Sequence, residues 1–461
     1  MHRTLSKTLI LTGALALLLH ALPAAANGRF PAAGQIVVDP GDTTHVVVRT
    51  TYGILTTRDA GKSWDWICEQ SVNWTGQYDP SIAITSDGSV LAGIYDHLGV
   101  SHGDTCSWPH ASGLDKKNVV DVSIEKKNPQ VALALTSSDV GGGMFATQLW
   151  SSPDNASTWA QAGVDLPADF QALTVDLSPS NPLRAYVSGL YGGGMTGAIE
   201  RSADGGKTWE RVDVMGSDVD HAPYIAALDP GDDKTLYVRL AGTPGRLLRS
   251  TDAGTTWTEI FKGTGLLKGF ALAPDGKTLV VGGEMDGVWR ASVPELMFTK
   301  VSKVGVQCLA WSSAGIHACG VEFNDGFTVG VSSDQGSTFT SVMHLACVRG
   351  PLACDAATDV GKSCPAAWPA TAELIDQPSC PMGAGGGGVS GSGSSASSTS
   401  ASSGTSSGAG VGGGDNTSGG SGGCGCRVGT SEGGEWGALL VGLGWMSARR
   451  LRRRKTDHAK F

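Results

Sequence analysis

The sequence predicts an all-β chain in which seven look-alike units, each of four short antiparallel strands, close into a ring. Three observations predict it. A turn pattern, S-x-D-x-G-x-T-W, recurs along the chain. Its copies are regularly spaced: Asp154 to Asp204 is 50 residues and Asp204 to Asp252 is 48. Between copies stand four short runs rich in β-branched and aromatic residues, punctuated by glycine. One such sheet cannot bury both of its faces, whereas a closed ring of sheets can. The architecture is therefore a seven-bladed β-propeller over residues 30–346, followed by a small Cys-rich segment and a disordered Gly/Ser linker.

Each part of the turn has a physical task. The aspartate accepts backbone N–H bonds within its own turn, the glycine permits positive φ, the hydroxyls tie the turn back to the backbone, and the aromatic starts the next strand with a large apolar contact. The copies carry Asp59, Gly61 and Trp64; Asp154 and Trp159; Asp204, Gly206 and Trp209; Asp252, Gly254 and Trp257; and Asp334, Gly336 and Phe339. Asp59 to Asp154 is 95 residues, two periods, and a shortened copy stands between them at Asp104-Thr-Cys106-Ser-Trp108. Asp252 to Asp334 is 82, and there Gly287-Val-Trp-Arg-Ala-Ser292 keeps the strand and loses the turn. The total is seven; an eight- or six-bladed ring is the alternative count if a degenerate unit is misread. The pattern resembles the Asp-box (BNR) repeat of sialidase-like and sortilin-like β-propellers. In that resemblance the box is a structural turn and does not mark an active site.

The strands follow in order. The first unit offers runs at 35–38, 45–48, 53–56 and 64–67; the fifth at 224–228, 236–240, 246–250 and 257–261; the seventh at 307–311, 315–319, 327–331 and 339–342. Outer runs alternate apolar and polar residues, and inner runs are more continuously apolar. First and last units are both complete, so no strand is exchanged between the ends, and closure falls to packing and disulfides.

The flanks read differently. Residues 1–26 have a basic start at Arg3 and Lys7, an apolar stretch and Ala24-Ala25-Ala26, the pattern of a signal peptide cleaved after Ala26; a membrane anchor is the alternative. The chain has 34 basic and 43 acidic residues. Setting aside two basic residues in 1–26, and eight basic and three acidic in 427–461, leaves 24 against 40, a net of −16, in 27–426. That charge argues against nucleic acid or anionic lipid as partners. Ten cysteines in an exported chain imply disulfides. Cys308 and Cys319 bracket one hairpin, and Cys68 and Cys106, in adjacent repeats, are plausible partners. Cys347, Cys354, Cys364 and Cys380 cluster in a Cys- and Pro-rich segment, 347–382, with little helix or strand pattern; three pairings among them stay open. Residues 383–423 are a Gly/Ser-rich linker. Beyond it come Cys424 and Cys426, a short apolar run and an Arg cluster. This order resembles the myxobacterial C-terminal sorting tails (MYXO-CTERM), which implies processing or lipidation near the cysteines and display at the cell surface. Residues 424–461 are the only expected membrane contact.

Chemistry is harder to place. Turns between strands three and four share one rim of a propeller with turns between strands one and two, so the aspartate turns mark one face. Ligands of propellers more often use the opposite face. The candidates there are Met144 and Met195, each after a glycine triplet; Trp74, Tyr78 and Asp79; and Asp218, Asp220, His221 and Tyr224. A bland reading stands beside each: the triplets as duplicated hairpin tips, and D-x-D-H as a polar loop rather than a metal or acid/base site. The sialidase resemblance would imply three convergent arginines, a Tyr nucleophile and an Asp acid. Gly28-Arg29-Phe30-Pro31 has the wrong order for the family's leading motif, and Arg184, Arg201, Arg239, Arg249 and Arg290 do not form an inner triad. Xyloglucanase-type enzymes with Asp boxes join two propellers, and one is predicted here. The expectation is an exported, monomeric, non-catalytic module, without cofactor or metal, for a protein, peptide or glycan ligand, as in sortilin-like and photosystem-assembly-factor-like relatives. The alternative is a glycoside hydrolase of the sialidase or glucanase type.

Overall fold

The computed structural model describes residues 30–74, 78–376 and 379–380. The expected signal peptide, the linker, and the tail with Cys424 and Cys426 lie outside the described residues. The chain divides after Phe30, and the ring belongs to the unit that begins at Pro31.

Seven antiparallel sheets follow in chain order, each a meander with its strands in sequence order. They occupy residues 33–67, 81–101, 119–161, 171–213, 223–262, 269–302 and 306–343, blades 1 to 7. The first strand of each blade adjoins the first strand of the next, and that of blade 7 adjoins that of blade 1, so the ring is closed. Between blades, apolar side chains from facing sheets interlock. Leu91, Leu98 and Val122 join blades 2 and 3; Leu135, Phe170 and Val187 join blades 3 and 4. Burying each such side chain contributes ~1.5–3 kcal/mol.

Polar residues also knit the inner ring. Gln35 exchanges two hydrogen bonds of 3.0 Å with the backbone of Ile82 in blade 2. Asp121 accepts from Ser81 Oγ at 2.7 Å and from the Val175 backbone N–H of blade 4 at 2.9 Å. Thr174 Oγ1 accepts from Ile225 N–H of blade 5 at 3.0 Å. Gln35, Asp121 and Thr174 each follow a register shift in the first strand of their blade. The extra residue of a bulge re-aims the side chain toward the neighbouring sheet. In blade 7 the corresponding residue is Cys308, which bridges to Cys319 on the adjacent strand.

Six blades have four strands. Blade 2 has three, with its fourth reduced to a bridge between Gly99 and His110. Its shortened turn leads directly into Pro109, which has no N–H for a ladder. The tryptophans of the full turns sit at equivalent places. The indole N–H groups of Trp64, Trp209 and Trp257 each reach a carbonyl associated with the preceding blade: Val342, Val164 and Asp213. Trp159 bonds Ala156 of its own turn instead.

Beyond blade 7 the chain doubles back along the outside of blade 1. Backbone bonds from Arg349 to Trp64, from Trp66 to Gly350 and from Leu352 to Trp66 lay a short parallel strip on the outer strand. Then comes a helix the sequence reading did not expect, α1, Asp359–Leu374. Thr358 caps it by accepting from the Gly361 N–H. Pro365 and Pro369 lie inside it, each removing one helical donor, and they conceal the helix from a pattern reading. Trp368 of α1 packs on Trp66 with ring centroids 5.5 Å apart.

The disulfides follow this strap. Cys308–Cys319 pairs as expected, but Cys68 and Cys106 do not pair with each other. Cys68 bonds Cys364 and Cys106 bonds Cys354. Of the four clustered cysteines, only Cys347 and Cys380 pair among themselves. The reason is geometric: the strap crosses the outside of blades 1 and 2, bringing its own thiols nearest to theirs. Closure thus comes from packing and disulfides, with the strap as their carrier.

Candidate ligand face

The aspartate turns commit their carboxylates internally. In blade 4, Asp204 accepts from the Thr208 N–H at 2.9 Å and from the Thr208 hydroxyl at 2.7 Å. Ser202 Oγ donates to Asp204 at 2.8 Å and accepts the Gly206 N–H at 2.8 Å. Asp252 and Asp334 repeat this arrangement, and Asp154 and Asp59 repeat most of it. Hydrogen bonds from the following threonine hold the carboxyls of Asp204, Asp252 and Asp334 down to about 2. That rim is structural at its signature residues.

The arginines considered for a triad serve a similar end. Arg201 bonds the Ala253 carbonyl of blade 5 at 2.8 Å, Arg290 bonds the Asp334 carbonyl of blade 7, and Arg184 lies 3.6 Å from Asp233 of blade 5. Arg239 is buried, stacks over Tyr224 at 4.9 Å and donates to the Leu267 carbonyl. These cations tie blades together and do not converge.

On the opposite rim the candidates divide into presenters and supports. Trp74, Asp79 and Tyr224 are buried. Trp74 donates its indole N–H to the Tyr78 carbonyl at 2.6 Å, and Asp79 pairs with the buried Arg49 at 2.9 Å. These residues hold the floor beneath the surface. Tyr78 is exposed and stacks on exposed Tyr95, with centroids 6.5 Å apart and planes at 14°. The two glycine triplets have φ between 64° and 92° at all six positions, so they fix tight hairpin tips. Met144 and Met195 follow them and are exposed. Beneath the second tip, Arg211 bridges Asp169 and Glu200 and lies 4.4 Å from the Tyr191 ring. Burial pushes the Glu200 carboxyl up despite that cation. The D-x-D-H loop closes on itself: Asp218 Oδ1 receives the Asp220 N–H, the His221 N–H and, at 2.9 Å, His221 Nδ1. Among the described residues no group of three or more His, Cys, Asp or Glu side chains could hold a metal ion.

Sequence reasoning missed Tyr95, Met215, Met285 and Phe323, all exposed and all on this rim. Three of them occupy the turn between strands two and three, in blades 2, 6 and 7. Reading that turn across every blade would have found them, but the glycine triplets drew attention to blades 3 and 4.

No protein-family model matches the chain. A segment is similar to the xyloglucanase Xgh74A of Acetivibrio thermocellus, 35% identical over 96 residues, which is 19% of this chain and 11% of that enzyme. The chain therefore spans only a small part of the curated relative it matches. Among solved structures, the fold is similar to an ancestral GH74 enzyme, with a TM-score of 0.52 and 13% identity over 68% of this chain and 46% of that one. YCF48 from Cyanidioschyzon merolae gives a TM-score of 0.45 at 12% identity, covering 66% of this chain and 95% of that one. At 13% identity the likeness to the ancestral GH74 enzyme shows the β-propeller fold.

Proposed function

We propose that this propeller is a non-catalytic binding module whose ligand face is the rim opposite the aspartate turns. The observation that supports it is the distribution of exposed apolar side chains. Tyr78, Tyr95, Met195, Met285 and Phe323 all lie in turns or connections of that rim. On the aspartate-turn rim the large exposed apolar residues are Leu183 and Met297, among the described residues. An apolar surface concentrated on one face marks an interaction site. Four carboxylates in or under the face are paired with a cation or imidazole, Asp79 with Arg49, Glu200 with Arg211, Asp218 with His221 and Glu322 with His344. The turns fit Asp-box repeats, and the expected leader and sorting tail fit an exported protein displayed at the cell surface.

The second reading, a glycoside hydrolase, is favoured by the 96-residue likeness to a xyloglucanase. A panel of fluorogenic glycosides and soluble xyloglucan, with binding measured in parallel, separates the two. Binding without turnover is the expected result. Turnover abolished by changing a single carboxylate of the ligand face overturns the binding-only reading. Mass spectrometry of the mature protein from its native envelope checks export by locating both termini and any lipid on Cys424 or Cys426.

A further inference from the structure

We propose that the rim opposite the aspartate turns receives a polypeptide segment carrying both apolar and basic side chains. This rests on the reading of that rim as the ligand face and narrows its ligand to one chemical class. The first observation is the kind of apolar residue displayed. Met144, Met195, Met215 and Met285 are 42, 71, 49 and 74% exposed, and all four stand on this rim. Methionine is unbranched and polarisable, so each of these side chains can adapt to irregular apolar side chains of a partner. These residues stand on defined backbone. The glycine φ values set the Met195 hairpin, and Met285 lies so near Gly265 that an added Cβ there would come within 3.0 Å of it.

The second observation is charge. In the same loops Asp96, Asp115, Asp139 and Asp220 are exposed. The cations there are fewer or engaged: Lys268 pairs with Glu284 at 2.8 Å, Lys117 bonds Gln148, and Lys116 and Lys303 are the exposed ones. A nucleic acid or acidic polymer meets like charge at such a rim, and a partner bearing Lys or Arg is attracted to it. A segment with Leu, Met or Phe beside Lys or Arg matches both features at once.

The test uses the full, disulfide-bonded chain as bait for a displayed library of random dodecapeptides. Enriched peptides are expected to combine basic and large apolar residues. Their affinity is expected to fall by about tenfold or more when Met195→Glu and Met285→Glu are combined, since two apolar contacts are lost. It is also expected to fall as sodium chloride rises from about 50 to about 500 mM. Met297→Glu, on the other rim, is expected to leave it unchanged. Both variants lie on exposed turns, and unchanged melting temperatures confirm folding. Enrichment of acidic or uncharged peptides, or no enrichment, overturns the proposal. Soluble xyloglucan fragments bound at the methionine rim in place of peptides overturn it too, while leaving the ligand-face reading intact. Peptide binding lost in Met297→Glu and kept in the rim variant overturns both.

Discussion

One position shows how a single residue sets the chemistry between blades. One position in strand two packs toward the next blade and is Val47, Leu91, Leu133, Tyr186, Tyr237, Val280 and His317 in turn around the ring. Tyr186 resolves its polarity by donating to the Asp233 carbonyl at 2.6 Å. His317 is 5% exposed, and its Nδ1 has no hydrogen-bond partner among the described residues. Burial holds its imidazole down to about 4. The unfolded chain therefore takes up a proton near pH 6.5 that the folded chain refuses until about 4, so stability falls with pH across that window. His317→Val, the residue of blade 6, is expected to remove this loss, up to about 3 kcal/mol between pH 6.5 and 4. Urea titrations at several pH values check it. The turn aspartates act in a lower window. Their lowered carboxyls stabilise the fold above the usual carboxylate value, and that stability disappears as pH falls toward 2. Asp204→Asn, Asp252→Asn and Asp334→Asn together are expected to lower the melting temperature at pH 7 and to flatten its fall below pH 4. Calorimetry across that range reads both effects.

At the scale of elements, turns were legible in the sequence and the strap was not. The S-x-D-x-G-x-T-W pattern encodes its hydrogen bonds locally, so Asp204 or Asp252 could be assigned from eight consecutive residues. The inner-strand ties of Gln35, Asp121 and Thr174 depend on bulges, which leave no mark in a two-residue alternation. Helix α1 carries two internal prolines and buries only Val360 and Cys364, and Cys364 is bonded to Cys68 at the end of blade 1. The cysteine pairing was misjudged too: proximity in sequence suggested Cys68 with Cys106, and only the course of residues 347–364 reveals their partners. Removing the Cys68–Cys364 bridge with paired serine substitutions is expected to cost about 2–5 kcal/mol. Limited proteolysis then should cut within residues 347–376 well before the blades. Equal protection of that segment in the variant argues that α1 docks by packing alone.

For the molecule as a whole, the repeat spacing determined the blade number, because each blade must fill one sector of the ring. Which loop residues reach the surface was only partly legible. Met144, Met195 and Tyr78 are exposed on the rim opposite the aspartate turns, but Trp74, Asp79 and Tyr224 are buried beneath it, since a sequence places a residue in a loop without saying which way it turns. The two long-range bridges have one more consequence. Cys68 and Cys106 precede both glycine-triplet hairpins, and Cys354 and Cys364 follow them. A protease that severs either exposed tip would leave two fragments still joined through the strap. Such a cut protein is expected to migrate as one species on a non-reducing gel and as two after reduction, so a break at these exposed loops need not part the two halves.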